Sequence, residues 1–324
     1  MLCIVTPALA DANNGNWQTA RRWARLLGGH YRVVLTRQWP DPAVPDTAAA
    51  IVALHARRSA ASIAAWAASR PSAPLVVALT GTDLYRDIAV DASARHSLAL
   101  AHRLIVLQER APQAVPAAWR ARCRVVFQSG PTRRALVKSD RLLTAVMVGH
   151  LRDEKWPQTL WEAARRLAPT EGIRLVHIGA ALDAGLGEAA RATAADCPHY
   201  RWLGGLTHEA VLRRIQRAHL LVHTSRLEGG AHAILEAVRC GTPVLASHID
   251  GNIGMLGDGY AGYFPAGDAA ALVDHLRACR AGQGQTGGPL DALAAQCAQR
   301  AALFDPAAER AALLGVLREL SPTP

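Results

Sequence analysis

Short apolar runs alternate with Ala-rich stretches of helical character along nearly the whole chain. In the first half the runs fall at residues 2–5, 32–36, 50–54, 75–79, 103–107 and 124–128. Runs that are apolar throughout, rather than at every second position, mark strands buried on both faces. Their alternation with helices implies a parallel sheet covered on both sides. The pattern pauses at residues 129–141, a stretch with Gly130, Pro131 and several basic residues, and this is read as an inter-domain linker. It restarts with runs at 142–148, 174–178, 200–203, 220–223 and 243–246. The chain therefore reads as α/β, one doubly wound Rossmann-like unit used twice, over residues 1–138 and 139–304. An amphipathic helix and tail follow at 305–324. Such units bind ligands at the carboxyl ends of their strands, so strand-end motifs are expected to converge on one cleft.

Composition changes this picture little. The chain has 324 residues, half of them hydrophobic, which is ample for two cores. No apolar stretch is long enough to span a bilayer, and the apolar start Met1-Leu2-Cys3-Ile4-Val5 lacks a basic lead and reads as a buried strand. A cytoplasmic protein is expected, with its six scattered cysteines reduced and buried. The net charge is +10, but basic residues never run beyond two and aromatics make up only 5% of the chain, which argues against nucleic acid and for small anions. Of the 36 basic residues only Lys138 and Lys155 are lysines, a hint that a point charge is wanted at those positions. No basic-aromatic helix suited to membrane docking is evident, and Trp17 and Trp23 are read as burying against the sheet.

The most informative segment is Ser225-Arg226-Leu227-Glu228-Gly229-Gly230-Ala231 followed by Glu236-Ala237, with the run 220–222 before it and Gly241-Thr242-Pro243-Val244 after it. It reads as strand, turn, helix, stop, strand, with Glu228 at the helix N-terminus and Glu236 about two turns on. Two carboxylates roughly 12 Å apart along such an axis suit the two ends of a nucleotide-sugar. The glycines and amides between them suit its diphosphate. Upstream, Gly149-His150-Leu151-Arg152-Asp153-Glu154-Lys155 ends a strand, and Lys155 is expected to open the next helix and reach phosphate oxygens.

In the first half the strand-end loops are residues 11–16, 55–59 and 80–87. Gly15 and Asn16 open a helix and can face an anion. Arg57 and Arg58 start another just after a strand, where unpaired amides already favour anions. Thr80, Gly81, Thr82 and Arg86 are further candidates. Asp83 is a candidate to orient a donor or act as a base, with a helix cap as the plain alternative; His55 is an acceptor candidate or simply a satisfied strand-end histidine. No Asp-x-Asp motif occurs, so metal-independent chemistry without any cofactor is expected.

The E-x7-E pattern of Glu228 and Glu236, the flanking G-x-P-V and Gly149-x-Leu151-x-x-x-Lys155 resemble the GT-B glycosyltransferases of family 4. Leu203-Gly204 and Gly262-x-x-x-x-Gly267-Asp268 fall in family order. The resemblance implies two Rossmann-like domains facing across a cleft, with the C-terminal helix packing back on the N-terminal one. It implies Glu228 on donor sugar hydroxyls, Glu236 on ribose hydroxyls and Lys155 neutralising the departing diphosphate. Gly149, Arg152, Leu203 and the amides of Gly229, Gly230 and Ala231 would complete the donor site. His150, grouped with Glu228 and Lys155 as a catalytic candidate, departs from the family's usual arginine. The segments 54–60, 79–87, 148–153, 200–204 and 225–231 are similar to the selenosugar synthases of selenoneine biosynthesis, where a histidine at position 150 is expected. That likeness implies a UDP-sugar donor (UDP-N-acetylglucosamine or UDP-glucose), selenophosphate as acceptor and a 1-seleno-sugar product. Both configurations at the anomeric carbon stay open. The alternative is a family 4 enzyme with a glycan, lipid or small-molecule hydroxyl or thiol acceptor. An epimerase on the same fold and a basic nucleic-acid module are the more distant rivals.

Overall fold

The computed structural model describes residues 1–9, 15–42, 44–45 and 47–320. The loop residues Asp11, Ala12, Asn13 and Asn14 lie outside them. The chain divides into two compact units, Met1–Ser129 together with the C-terminal segment from Pro306, and Gly130–Asp305.

The first unit is a six-stranded sheet of β1 (Leu2–Val5), β2 (Val33–Thr36), β3 (Ala50–Leu54), β4 (Leu75–Ala78), β5 (Arg103–Val106) and β6 (Cys123–Val125), ordered β2-β1-β3-β4-β5-β6 and parallel at every pairing. Alternate residues of each strand feed opposite cores. Cys3 and Val5 join Ile51, Ala53 and Val77 on one side, while Leu2 and Ile4 join Val52, Leu54 and Val76 on the other. The second side is closed by the helix Gly15–Leu27 and by the C-terminal helix Pro306–Arg318, through Trp23, Leu27, Leu313, Leu314 and Leu317. Glu309, buried under this helix, is satisfied by Arg22 Nε at 2.9 Å, Trp23 Nε1 at 2.7 Å and the Ser129 amide at 2.8 Å. A buried carboxylate tolerates that position only when so paired. The same contacts bury Trp23 fully.

The second unit repeats the plan with β7 (Leu143–Val148), β8 (Ile173–Ile178), β9 (Tyr200–Trp202), β10 (Leu220–His223), β11 (Val244–Ser247) and β12 (Tyr263–Phe264), ordered β12-β11-β10-β7-β8-β9 and again parallel throughout. The two-residue β12 is too short to leave a mark in the hydrophobic pattern. The chain winds outward from β7 to β9, then returns to start β10 on the other side of β7. The reversal point therefore lies between β7 and β10, where the loops carrying Lys155 and Glu228 begin.

The unit boundary differs from the expected 138/139. Residues 130–138 pack on the second unit because their backbone and side chains bond there: the Arg133 amide to Arg239 O at 3.0 Å, the Leu136 amide to Gln216 O at 3.3 Å, and Arg133 Nη2 to Glu209 at 2.6 Å. All six cysteines are free thiols, five buried and Cys123 half-buried. Among the described residues no helix is long and apolar enough to cross a membrane.

Candidate functional site

In the second unit the loops after β7 and β10 are sewn together. Thr224 Oγ1 donates to Lys155 O at 2.8 Å and the Arg226 amide to Glu154 O at 3.0 Å, while Arg226 pairs with Asp153. Lys155 does not open the following helix as expected. It closes a single 3-10 turn, Asp153–Lys155, after which Trp156 adopts a left-handed backbone (φ 44°) and the helix begins only at Gln158–Arg166. Trp156 keeps that conformation because its indole packs on Gly267, where a Cβ would lie 2.7 Å from the ring. The turn folds Lys155 back across Gly149, with the Lys155 Cδ 3.3 Å from where a Cβ on Gly149 would sit, and aims its ammonium at Glu228.

Glu228 also departs from expectation. The helix after β10 is His232–Arg239, so Glu228 stands on the preceding loop rather than at the helix N-terminus, and helical rise does not set its distance to Glu236. Proximity of the loop to the next helix, Asp250–Leu256, holds it in place. A Cβ on Gly251 would lie 2.2 Å from Glu228 O, so only glycine allows this approach. Ser247 Oγ bonds Ser225 O, and Asn252 Nδ2 donates to Ser247 O at 2.9 Å, extending the support.

Three groups meet one oxygen of Glu228. Lys155 Nζ forms an ion pair with Oε1, Ser225 Oγ donates to it at 2.7 Å, and His223 Nε2 lies 3.4 Å away. The side chains of Lys155 and Glu228 are only 15% and 11% exposed. Burial pushes the Glu228 carboxyl up, but the Lys155 ammonium and then His223 outweigh it, so the group is held well below the usual carboxylate range. Burial holds the His223 imidazole below its ordinary value, against the pull of Glu228.

Glu236, on the helix, is nearly buried and meets His208 Nε2 at 2.6 Å, a contact that raises the His208 pKa. The Ala231 amide donates to Met255 Sδ at 3.2 Å, a weak acceptor, whereas the amides of Gly229 and Gly230 make no hydrogen bond among the described residues. His150 Nδ1 accepts from the Ala180 amide at 3.0 Å, tying the ends of β7 and β8 and leaving Nε2 as the donor of the neutral ring. Burial first, then Arg152 and Lys155, lowers its pKa. Arg152 is exposed, and its guanidinium has no ion-pair partner among the described residues. The Leu203 amide donates to His177 O at 2.9 Å. His177, missed in the sequence, is fully buried between Gly149 O and the Tyr200 hydroxyl, 3.2 Å from each, and burial lowers its pKa to about 4. His223 and His208 were also missed. The one usable signal was a histidine ending the strand just before Ser225.

In the first unit the reversal point lies between β1 and β3, and the candidate residues follow those strands and β4. Gly15 and Asn16 open the helix Gly15–Leu27, with Gly15 O accepting from Thr19 Oγ1 at 2.9 Å. The reading of Asp83 as a base needs correction. It is fully buried, and its carboxylate accepts amides from Ala56 at 3.0 Å, Thr80 at 2.8 Å and Gly81 at 2.9 Å, which locks the β3 loop to the β4 loop. The Gly81 and Thr80 amides are spent on the Asp83 carboxylate in the same bonds. His55, left-handed at φ 73°, accepts the Arg58 amide on Nδ1 at 3.3 Å and reaches Thr82 Oγ1 with Nε2 at 3.2 Å. Burial keeps it below its ordinary pKa, against the pull of Asp83 and Asp87. Asp87 gathers Arg57 Nε at 2.8 Å and Arg86 Nε at 3.3 Å. The exposed Arg58 guanidinium has no ion-pair partner among the described residues, so of the three arginines it is the one not already neutralised.

Two doubly wound Rossmann-like units define the GT-B fold class. Residues 130–285 match the family model of glycosyl transferases group 1, and the second unit carries that domain. A search of curated proteins found no match. Among solved structures, HepE of Anabaena in complex with UDP and glucose superposes with a TM-score of 0.75 at 15% identity, covering 98% of this chain and 99% of that one. Sucrose-phosphate synthase of Thermosynechococcus elongatus gives 0.75 at 15% identity, covering 98% of each. TarM of S. aureus, in complex with UDP and α-GlcNAc-glycerol, gives 0.63 at 12% identity, covering 82% of this chain and 55% of that one. At these identities the likeness is one of fold.

Proposed function

We propose that this chain is a metal-independent, UDP-sugar-dependent glycosyltransferase that moves a hexose to the selenium of selenophosphate. The observation that carries the donor half is the Lys155–Glu228 pair at the β7/β10 reversal point, with the second carboxylate, Glu236, on the helix that follows. Glu228 would take sugar hydroxyls, Glu236 ribose hydroxyls, and Lys155 with the Gly229 and Gly230 amides the charge of the departing diphosphate. The neighbours HepE and TarM, which bind UDP and sugars, support a UDP-linked donor.

The acceptor half rests on the likeness to selenosugar synthases and on chemistry. Selenium in selenophosphate is already anionic, so attack on the anomeric carbon demands no strong base. That suits a first unit in which the candidate carboxylate Asp83 is buried and accepts three backbone amides. The remaining phosphoryl oxygens need a cation, and of the candidates Arg57, Arg58 and Arg86 it is Arg58 whose guanidinium has no ion-pair partner among the described residues. Water must then cleave the Se–P bond to release phosphate.

Mass spectrometry after incubation with UDP-N-acetylglucosamine or UDP-glucose and selenophosphate, with thiophosphate and acceptor-free controls, tests this. A 1-seleno-sugar formed only when selenophosphate is present is the expected result. UDP-sugar consumption that ignores selenophosphate would refute the acceptor.

A further inference from the structure

The carboxylate of Glu228 is not held symmetrically. Lys155, Ser225 and His223 all address Oε1, whereas Oε2 makes no hydrogen bond among the described residues. His223 is the least expected of the three. It ends β10 with its ring fully buried, and its Nδ1 has no hydrogen-bond partner among the described residues. An imidazole with one nitrogen stranded in the core carries a cost, so the other nitrogen is the one in use.

The tautomer follows from the neighbours. Ser225 Oγ donates to Glu228 Oε1 at 2.7 Å, so its proton is committed there and not to His223 Nε2, 3.4 Å away. A bare Nε2 lone pair facing a carboxylate oxygen would be repulsive. The ring therefore carries its proton on Nε2, directed at the carboxylate, and leaves Nδ1 as a bare acceptor. A stranded acceptor is the less costly of the two orphans.

We propose that His223 is a positioning residue. Its Nε2–H, acting with Ser225 and Lys155 on one oxygen, fixes the carboxylate rotamer of Glu228 and presents the opposite oxygen to the sugar. This deepens the donor assignment above and rests on it. Lys155 alone does not fix the orientation, because an ammonium on a flexible stem is a point charge without directional preference. The rigid imidazole on a buried strand end supplies the direction.

Two substitutions separate positioning from packing. His223→Leu fills the volume without a donor. His223→Gln restores an N–H near the place of Nε2. Donor turnover should fall about tenfold or more in kcat for His223→Leu, the loss of one hydrogen bond to a charged group, with substantial recovery in His223→Gln. UDP affinity by calorimetry should stay unchanged in both, which also shows that they fold. Equal kcat for wild type and His223→Leu, or an equal loss in both variants, overturns the proposal. A second readout needs no substrate: the 13C-detected titration of the Glu228 carboxyl should move upward in His223→Leu and return in His223→Gln. No movement refutes the contact whatever the reaction is. Failure of the donor assignment would look different, as a wild type that neither binds UDP nor consumes UDP-sugars.

Discussion

His208 Nε2 stands 2.6 Å from Glu236 Oε1, so the carboxylate expected to hold ribose already has a hydrogen-bonding partner from the start of the neighbouring helix His208–Arg217. Glu236 hydrogen bonding raises the His208 pKa above its ordinary 6.5. A raised folded pKa stabilises below the unfolded value and loses that stabilisation as pH climbs through the folded value. The imidazole is 66% exposed, which screens the pair. Wild type should therefore exceed His208→Ala by about 0.5 kcal/mol at acidic pH, with the difference gone in the alkaline range. Urea melts at the two extremes check this.

Glu228→Ala should lower turnover about a hundredfold or more if, as proposed, this carboxylate anchors the sugar near the reacting carbon. Glu236→Ala should act on binding instead, weakening UDP about tenfold. Calorimetry with UDP beside steady-state kinetics distinguishes the two. Equal effects on both parameters in both variants would contradict the division of labour.

Gly251→Ala tests whether the Glu228 loop depends on a close backbone approach. The new methyl would lie 2.2 Å from Glu228 O and 2.9 Å from its Cβ, so the loop must move. A loss of turnover comparable to that of Glu228→Ala is expected, with a stability cost of about 1–3 kcal/mol.

Asp83→Ala should cost about 3 kcal/mol or more, since three backbone amides lose their acceptor at once in a fully buried site. Thermal melts measure it. If Asp83 were a base instead, the variant would keep wild-type stability and lose only activity.

Treatment with EDTA followed by desalting should leave turnover unchanged, because Lys155 and backbone amides are assigned the charge a metal would otherwise neutralise. Reversible inactivation restored by a divalent cation would contradict that assignment.

The hydrophobic pattern alone carried the architecture. Eleven of the twelve strands overlap the mainly apolar runs, most strictly in the central strands, where burial on both faces demands apolar residues; edge strands such as β6 and β9 carry an arginine, and β12 escaped because two residues make no pattern. Spacing also marked Glu228, Glu236 and Lys155, through the eight-residue interval between the two glutamates and the Gly149-to-Lys155 segment after a strand. Tertiary structure decided what these groups do with one another. Nothing local shows that Lys155 closes a turn held by Trp156 on Gly267, that His223 and Ser225 share an oxygen of Glu228, or that His208 reaches Glu236. Trp156 with Gly267, Lys155 with Glu228 and His208 with Glu236 each come from different segments, and only the packing of the parallel strands and their helices brings them together. Asp83 makes the same point in reverse: its sequence position allowed a base, but the amides converging on it from two loops make it a structural tie.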